Sequence, residues 1–410
     1  MMTGHPDSEV SAELEPRTRF LLDLGLALHR AGVSAFRLEG ALTKVADTLG
    51  LRATFFSTPT ALMASVEGRT HLLRTEPGDV DLDRMCALDE ISNAVIAGEM
   101  TPEAGSAAIV EALDAPRRYS ALVTAAAYTA ASLVAALFLA GSLVDSAVSA
   151  VAGLLIGALA WLAERSREFA RVFLIIASLL AAGVAWLAAA AGLPVDLQVV
   201  TIAGLIAFVP GLSLTVAMNE LTTGHLASGT ARLAYVAIVL VQMGLGVALA
   251  ERLGAAFHVA PPEVAPSLLL ATRWLMFAAL PAAVLAFSVL LRARLRDYGW
   301  LLLTGALTLG VTVAVSEAVD PVSGSFLGAL VAGVVSNGLA RWSNRPAANF
   351  LVPSLFLLVP GSVGLRSVSS LVDADVLSGV QTAFSMSLIA IALVGGMLVA
   401  NVVLNARRHL

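Results

Sequence analysis

This 410-residue chain has one cysteine, one lysine and no histidine that is followed by a glutamate. Cys86 is the single cysteine, which excludes an intrachain disulfide and the paired-cysteine motifs of zinc, redox and iron-sulfur sites. Lys44 is the single lysine and follows Thr43, so the chain has no GKS or GKT sequence and no Walker A phosphate loop. None of the six histidines precedes a glutamate, which excludes HExxH. We therefore expect no metal, no cofactor, no catalytic residue and no enzyme activity.

Charge is also low, at 13% of residues against roughly 25% in soluble proteins, whereas 58% are apolar and the mean hydropathy is +0.85. Residues 1–118 hold 11 Lys and Arg against 18 Asp and Glu, and residues 119–410 hold 14 against 12. This distribution predicts a soluble acidic domain followed by a membrane-embedded body. No basic surface that would bind nucleic acid is evident, and the first strongly apolar stretch comes too late for a cleavable signal peptide.

The soluble part has the pattern of a small α+β domain at 17–116, after an acidic tail at 1–16 that we expect to be disordered. Apolar residues with helical spacing over 17–51, interrupted at Gly32, predict two helices. From residue 52 the period shifts to two, which predicts a three-stranded meander, and helical spacing then returns twice. We expect this domain to gate or stabilise the membrane part without catalysing a reaction.

The remainder predicts an α-helical polytopic membrane protein with ten transmembrane helices, each near the roughly 20 residues that cross a bilayer. The predicted spans are 119–140, 146–163, 170–192, 197–218, 230–250, 269–291, 299–318, 322–341, 350–371 and 382–404. They divide into two five-helix repeats, 117–253 and 254–408. An odd number of helices per half means that the second repeat would enter the membrane inverted.

Arginines collect in alternate connectors, and acidic residues collect in the others. The arginine-rich connectors contain Arg117, Arg118, Arg165, Arg167, Arg171, Arg232, Arg292, Arg294, Arg296, Arg341, Arg345, Arg407 and Arg408. The positive-inside rule then places both termini and the amino-terminal domain in the cytoplasm. The acidic run from Asp79 to Glu90 either binds a cation or forms a solvated helix face, and the acidic excess of the domain makes contact with the arginine-rich connectors plausible.

The two predicted repeats share an interrupted helix. Val209-Pro210-Gly211 and Val359-Pro360-Gly361 are 150 residues apart, in the fourth and ninth spans. Proline removes an amide donor and breaks a helix, and the freed backbone groups need protein or a hydrated cavity around them. The pair predicts two half-helix ends that face each other near the bilayer midplane and bind a carboxylate, as in transporters built from inverted repeats. The alternative is that both prolines only kink tightly packed helices.

Polar residues follow each break. We predict that the substrate-binding residues are Pro210, Gly211, Ser213, Thr215, Asn219, Pro360, Gly361, Ser362 and Arg366. Arg366 can hold a carboxylate through two parallel hydrogen bonds, unless it extends to the outer surface instead. Glu220 is our candidate for the proton-coupling group, because ionisable side chains at membrane depth are costly; otherwise it sits in water at the helix end and interacts with Arg232.

Short motifs spread over about 17–404 resemble those of the threonine/serine exporter family of bacterial inner membranes. The matching stretches are Ala31-Gly32-Val33-Ser34, Phe36-Arg37-Leu38-Glu39, Leu49-Gly50-Leu51, Thr58-Pro59-Thr60, Pro77-Gly78, Asp81-Leu82, Val209-Pro210-Gly211 through Leu221, Gly224, Gly229, Arg232, Val352-Pro353, Leu358 through Gly361, and Arg366. The family usually has an aspartate where this chain has Glu220, a basic residue where it has Asn219, and an aromatic residue where it has Leu365.

The resemblance implies a single-chain member with a cytoplasmic domain and ten spans, which exports threonine and serine by antiport with protons across the inner membrane. Its partners would be a small amino acid, protons and the lipid bilayer, with a homo-oligomer left open. Export of a dicarboxylate such as succinate is the alternative within the family. A passive channel and a membrane sensor are the alternatives outside it.

Overall fold

The computed structural model describes residues 14–76, 78–256, 269–343, 345–358, 361–372 and 375–404. The amino-terminal domain contains four helices and three strands: α1 Pro16–Arg30, α2 Ala35–Thr48, β1 Ala53–Thr58, β2 Ala61–Val66, β3 Arg69–Arg74, α3 Leu82–Ile96 and α4 Pro102–Asp114. The predicted helix pair and the three-stranded meander are confirmed. The strands pair antiparallel in the order β1-β2-β3.

The core of this domain lies between α1, α2 and one face of the sheet. Leu62, Ala64 and Val66 alternate along β2 and are buried, as a period of two requires. The turn between α1 and α2 depends on Gly32, which has a φ of +81°. A Cβ at Gly32 would lie 3.0 Å from backbone atoms of Asp79 and Val80, so glycine both permits the turn and leaves room for the chain before α3.

Helices are the only regular secondary structure in the described residues of the membrane part. Its helices are α5 Ala121–Phe138, α6 Leu143–Ala163, α7 Arg167–Ala190, α8 Leu197–Leu205, α9 Gly211–Thr222, α10 Leu226–Ala256, α11 Leu269–Leu290, α12 Tyr298–Ala318, α13 Pro321–Ser343, α14 Ala348–Phe356, α15 Gly361–Val372 and α16 Val376–Val403. Seven of the described helical segments are long and apolar enough to cross a membrane.

The other three predicted spans coincide with α11 and with two pairs of short helices, α8 with α9 and α14 with α15. Each short helix has 9 or 12 residues, which is too few to cross a bilayer alone at 1.5 Å per residue. The first pair is interrupted at 206–210, where Pro210 immediately precedes α9. The predicted helix breaks are therefore present, whereas ten crossings and inverted symmetry remain predictions.

Small and amide residues hold the long helices together. A Cβ at Gly153 of α6 would lie 2.7 Å from Cβ of Ser132 in α5, so the glycine lets these two helices pack closely. Asn337 of α13 donates a hydrogen bond at 3.0 Å to Oδ1 of Asn401 in α16. Both residues thus make the interhelical contact that polar groups in membrane helices commonly make.

Candidate functional site

A cavity of about 90 Å³ lies where the amino-terminal domain covers the ends of α9 and α14. Its volume suits several water molecules or a small solute. Most of the described lining is apolar, and the polar lining comes from Ser34, Arg37, Thr215 and Asn219. The cavity is therefore an apolar pocket with a few convergent polar groups, which is the usual form of a small-molecule site.

Two half-helices present one face each to this cavity. Leu212, Thr215, Val216 and Asn219 recur at three- and four-residue spacing along α9, so they lie on one side of it. Ala348, Leu351, Val352 and Leu355 have the same spacing on α14. Thr215 is buried, and its hydroxyl donates to the Gly211 carbonyl at 3.1 Å, which leaves its oxygen lone pairs able to accept another hydrogen bond.

Arg37 comes from the amino-terminal domain, in the first turn of α2. It is half-buried and lines the cavity, yet no described residue forms a hydrogen bond or an ion pair with its side chain. Burial lowers the pKa of its guanidinium, although arginine stays protonated at any physiological pH. The cavity thus contains a positive charge that the described protein does not neutralise.

Glu220, the predicted proton-coupling residue, is fully buried near the end of α9. Its Oε1 accepts a hydrogen bond from the Ala35 amide at 3.0 Å, and its Oε2 accepts one from the Ser228 hydroxyl at 2.9 Å. Arg232 adds an ion pair, with Nε 3.2 Å from Oε2. The expected interaction with Arg232 is present. The alternative that Glu220 sits in water at the helix end was wrong, because α2 of the amino-terminal domain covers this carboxylate.

The amino-terminal domain also contacts an arginine-rich connector, as its acidic excess predicted. Arg292 donates to Asp81 at 2.7 Å, and Arg294 donates to Asp83 at 2.7 Å and to Glu90 at 2.8 Å. Asp81 and Asp83 of the acidic run therefore pair with arginines and are largely covered, whereas the side chain of Glu90 stays 57% exposed, as a solvated helix face would be. No group of metal-ligating side chains occurs among the residues that the structure describes.

The two interrupted segments meet. A Cβ built on Gly361 would lie 2.6 Å from Cγ1 of Val209 and 3.4 Å from the Gly211 nitrogen. Only glycine at position 361 permits this approach of the two motifs. Pro360 and the side chain of Ser362 lie outside what the structure describes.

The remaining predicted residues do not form a single site. Thr215 and Asn219 line the cavity, and Pro210, Gly211 and Gly361 lie where the broken helices meet. Ser213 is half-buried on α9 but does not line the cavity. Arg366 is half-buried on α15, away from the cavity, and its buried Nε has no hydrogen-bond partner among the described residues.

Sequence reasoning missed the contribution of the amino-terminal domain to the cavity. Arg37 belongs to one of the motifs that resemble the exporter family, Phe36-Arg37-Leu38-Glu39, but no function was predicted for its side chain. The one available signal was an arginine in the first turn of a predicted helix, where the positive end of the helix dipole disfavours a cation.

Two family models together match most of the chain. One, described as "Putative threonine/serine exporter", matches residues 19–254, and another, described as "Threonine/Serine exporter, ThrE", matches residues 275–403. Pheromone-regulated membrane protein 10 of Saccharomyces cerevisiae is 25% identical over 388 residues, which are 89% of this chain and 50% of that protein. Its namesake in Eremothecium gossypii is 25% identical over 390 residues, 92% of this chain and 51% of that protein. The chain spans about half the length of these curated relatives, and no solved structure matches it.

Proposed function

This chain belongs to the threonine/serine exporter family, and we propose that it exports threonine and serine from the cytoplasm, driven by the proton motive force. The observation that carries the proposal is the cavity between the amino-terminal domain, α9 and α14, where a guanidinium, a hydroxyl and an amide line an otherwise apolar pocket. A hydroxy-amino acid has a carboxylate, a hydroxyl and an ammonium. The guanidinium could bind its carboxylate, and the hydroxyl and amide side chains could hydrogen-bond its hydroxyl.

The proposed orientation places the cavity on the cytoplasmic side of a bacterial inner membrane. It rests on the positive-inside rule applied to the arginine-rich connectors, one of which pairs with the amino-terminal domain through Arg292 and Arg294. Substrate would then enter beneath the domain at 17–116. Motion of the repeats 117–253 and 254–408 against each other would carry it outward.

Further along the path, the broken helices supply the second binding position. The α9 and α15 amino termini, next to Pro210 and Pro360, would direct backbone amides at an anion, assisted by Ser213 and Ser362. Arg366 lies six residues into α15, and its buried Nε, which has no hydrogen-bond partner among the described residues, would bind a carboxylate that reaches it. Supporting this arrangement is the contact of Gly361 with Val209, which brings the two broken segments together.

Glu220 is the proposed coupling residue. Its carboxylate receives hydrogen bonds from Ala35, Ser228 and Arg232, and a proton on it would cancel the ion pair with Arg232 and weaken these acceptors. Proton binding would therefore loosen α2 from α9, beside the cavity. In this scheme the proton acts by changing how the amino-terminal domain covers the substrate.

Dicarboxylate export is the second candidate, because no acidic side chain is among the described residues that line the cavity to hold an ammonium. Proteoliposomes loaded with labelled threonine, serine or succinate would decide between the two. We expect efflux of threonine and serine to depend on an imposed proton gradient. Efflux of succinate alone would favour the second candidate, and ion conductance without gradient dependence would indicate a channel.

A further inference from the structure

The cavity contains one charge that neither the fold nor the proposed coupling uses. Arg37 lines it without a described hydrogen-bond or ion-pair partner, while the carboxylates around it have other partners. Glu220 pairs with Arg232, and Glu39 accepts a hydrogen bond from the Ser57 amide at 2.7 Å and lies 3.4 Å from His225. A guanidinium that is partly withdrawn from water without a partner is costly, so a ligand that supplies an anion would be bound strongly.

Resting on the proposed export function, we propose that Arg37 binds the carboxylate of the transported molecule at the cytoplasmic mouth of the cavity. The amino-terminal domain then contributes directly to the binding site. The ligand class is a small carboxylate with a second polar group, which Thr215 and Asn219 would hydrogen-bond from the opposite wall. Arginine suits this task because its planar group can hold both carboxylate oxygens.

The position of Arg37 makes binding depend on docking of the domain. Ala35, two residues earlier, donates its amide to Glu220, so the turn that carries Arg37 is fixed to α9 by a direct hydrogen bond. Thr215 and Asn219 lie on that same helix. The Ala35–Glu220 hydrogen bond and the contact of Glu39 with His225 therefore fix the two walls of the cavity to each other, and the site exists only while the domain is docked.

The test uses the purified full-length protein in lipid nanodiscs, with labelled threonine and competition by threonine, serine, succinate and threoninamide. Threoninamide has the hydroxyl and the ammonium but no carboxylate, so the ratio of its inhibition constant to that of threonine reports on carboxylate recognition. The variants are Arg37→Gln and Arg37→Lys. Arg69→Gln, at an exposed position on β3, is the matched control.

We expect wild type and Arg69→Gln to bind threonine at least tenfold more tightly than threoninamide. Arg37→Gln should bind threonine about tenfold more weakly or worse, which is the size of a lost charged hydrogen bond, and its ratio should fall to about one. Arg37→Lys should be intermediate, because it keeps the charge and loses the planar group. If Arg37→Gln does not fold, the Lys variant and the wild-type ratio carry the same test.

An unchanged ratio in Arg37→Gln, or equal binding of threonine and threoninamide by wild type, would overturn the role of Arg37 while export stands. A wild-type protein that binds none of threonine, serine and succinate would instead overturn the export function itself. The two failures are therefore distinguishable in one set of measurements.

Discussion

The backbone amide of Ala35 donates a hydrogen bond of 3.0 Å to the carboxylate of Glu220, which lies 185 positions later in the chain. The contact joins the first turn of a helix in the amino-terminal domain to the end of a broken membrane helix. Ala35 is at the amino terminus of α2, where the helix dipole favours a negative charge. Glu220 thus caps a helix of another domain while it pairs with Arg232.

Replacing Glu220 with glutamine tests both its structural and its proposed coupling role. Glu220→Gln removes the charge opposite Arg232, whose guanidinium would remain largely buried and unpaired. We expect a loss of about 2 to 4 kcal/mol in the free energy of unfolding, measured by denaturation in detergent. In proteoliposomes, we expect threonine binding to persist while efflux no longer responds to the proton gradient.

The matched control is Glu168→Gln, which changes the same side chain at an exposed position in the first turn of α7. It should alter stability by less than about 0.5 kcal/mol. If Glu220→Gln is destabilised but keeps the wild-type response of efflux to pH, Glu220 is only a structural contact. The proton carrier would then be another residue.

A charge exchange tests whether Asp83 and Arg294 hold the amino-terminal domain against the membrane part. Asp83→Arg and Arg294→Asp should each lower stability by about 1 to 2 kcal/mol, discounted because both side chains are partly exposed. The double variant should recover part of the loss, as a double-mutant cycle in denaturant would measure. Purely additive losses would show that the pair contributes nothing specific.

The same carboxylate predicts how docking depends on pH. Burial raises the pKa of Asp83, but hydrogen bonds from Arg118 and Arg294 outweigh it and hold the pKa below its ordinary value of about 3.9. A lowered pKa contributes stability that is present above the ordinary value and is lost as pH falls through the lowered one. The stability difference between wild type and Asp83→Asn should therefore be constant from about pH 5 to 7 and should shrink below about pH 4. A difference that instead shrinks toward neutral pH would contradict this sign.

Local patterns in the sequence were sufficient for the elements and the helix breaks. The period of two in β2 and the helical spacing around Gly32 depend only on neighbouring residues, as does the break before Gly211. Charge balance also predicted a contact, since an acidic domain and arginine-rich connectors attract each other whichever individual residues meet. Which carboxylate pairs with which arginine was not predictable.

The cavity depended on contacts that no local pattern encodes. One prediction placed Glu220 in water at the helix end, because the sequence provides only its distance from Pro210 along the helix. That the first turn of α2 covers it follows from the docking of two domains, which brings together residues 185 positions apart. The proposed role of Arg37 has the same origin, since Arg37 lines one cavity with Thr215 and Asn219 only in the docked arrangement.

The contact between the two broken segments gives the last prediction. An alanine at position 361 would place its Cβ 2.6 Å from Cγ1 of Val209, closer than carbon atoms approach without displacement. Gly361→Ala should therefore push the break at 206–210 away from α15, lower stability by about 1 to 3 kcal/mol and slow threonine efflux from proteoliposomes.

The compensating variant and a glycine control make this prediction specific. Val209→Ala removes the methyl groups that the new side chain meets, so Gly361→Ala with Val209→Ala should recover most of the stability and the efflux rate. Gly310→Ala is the control, because a Cβ there meets no described atom within 4 Å. If Val209→Ala restores stability but not efflux, the two breaks are a packing contact only, and their proposed part in binding fails.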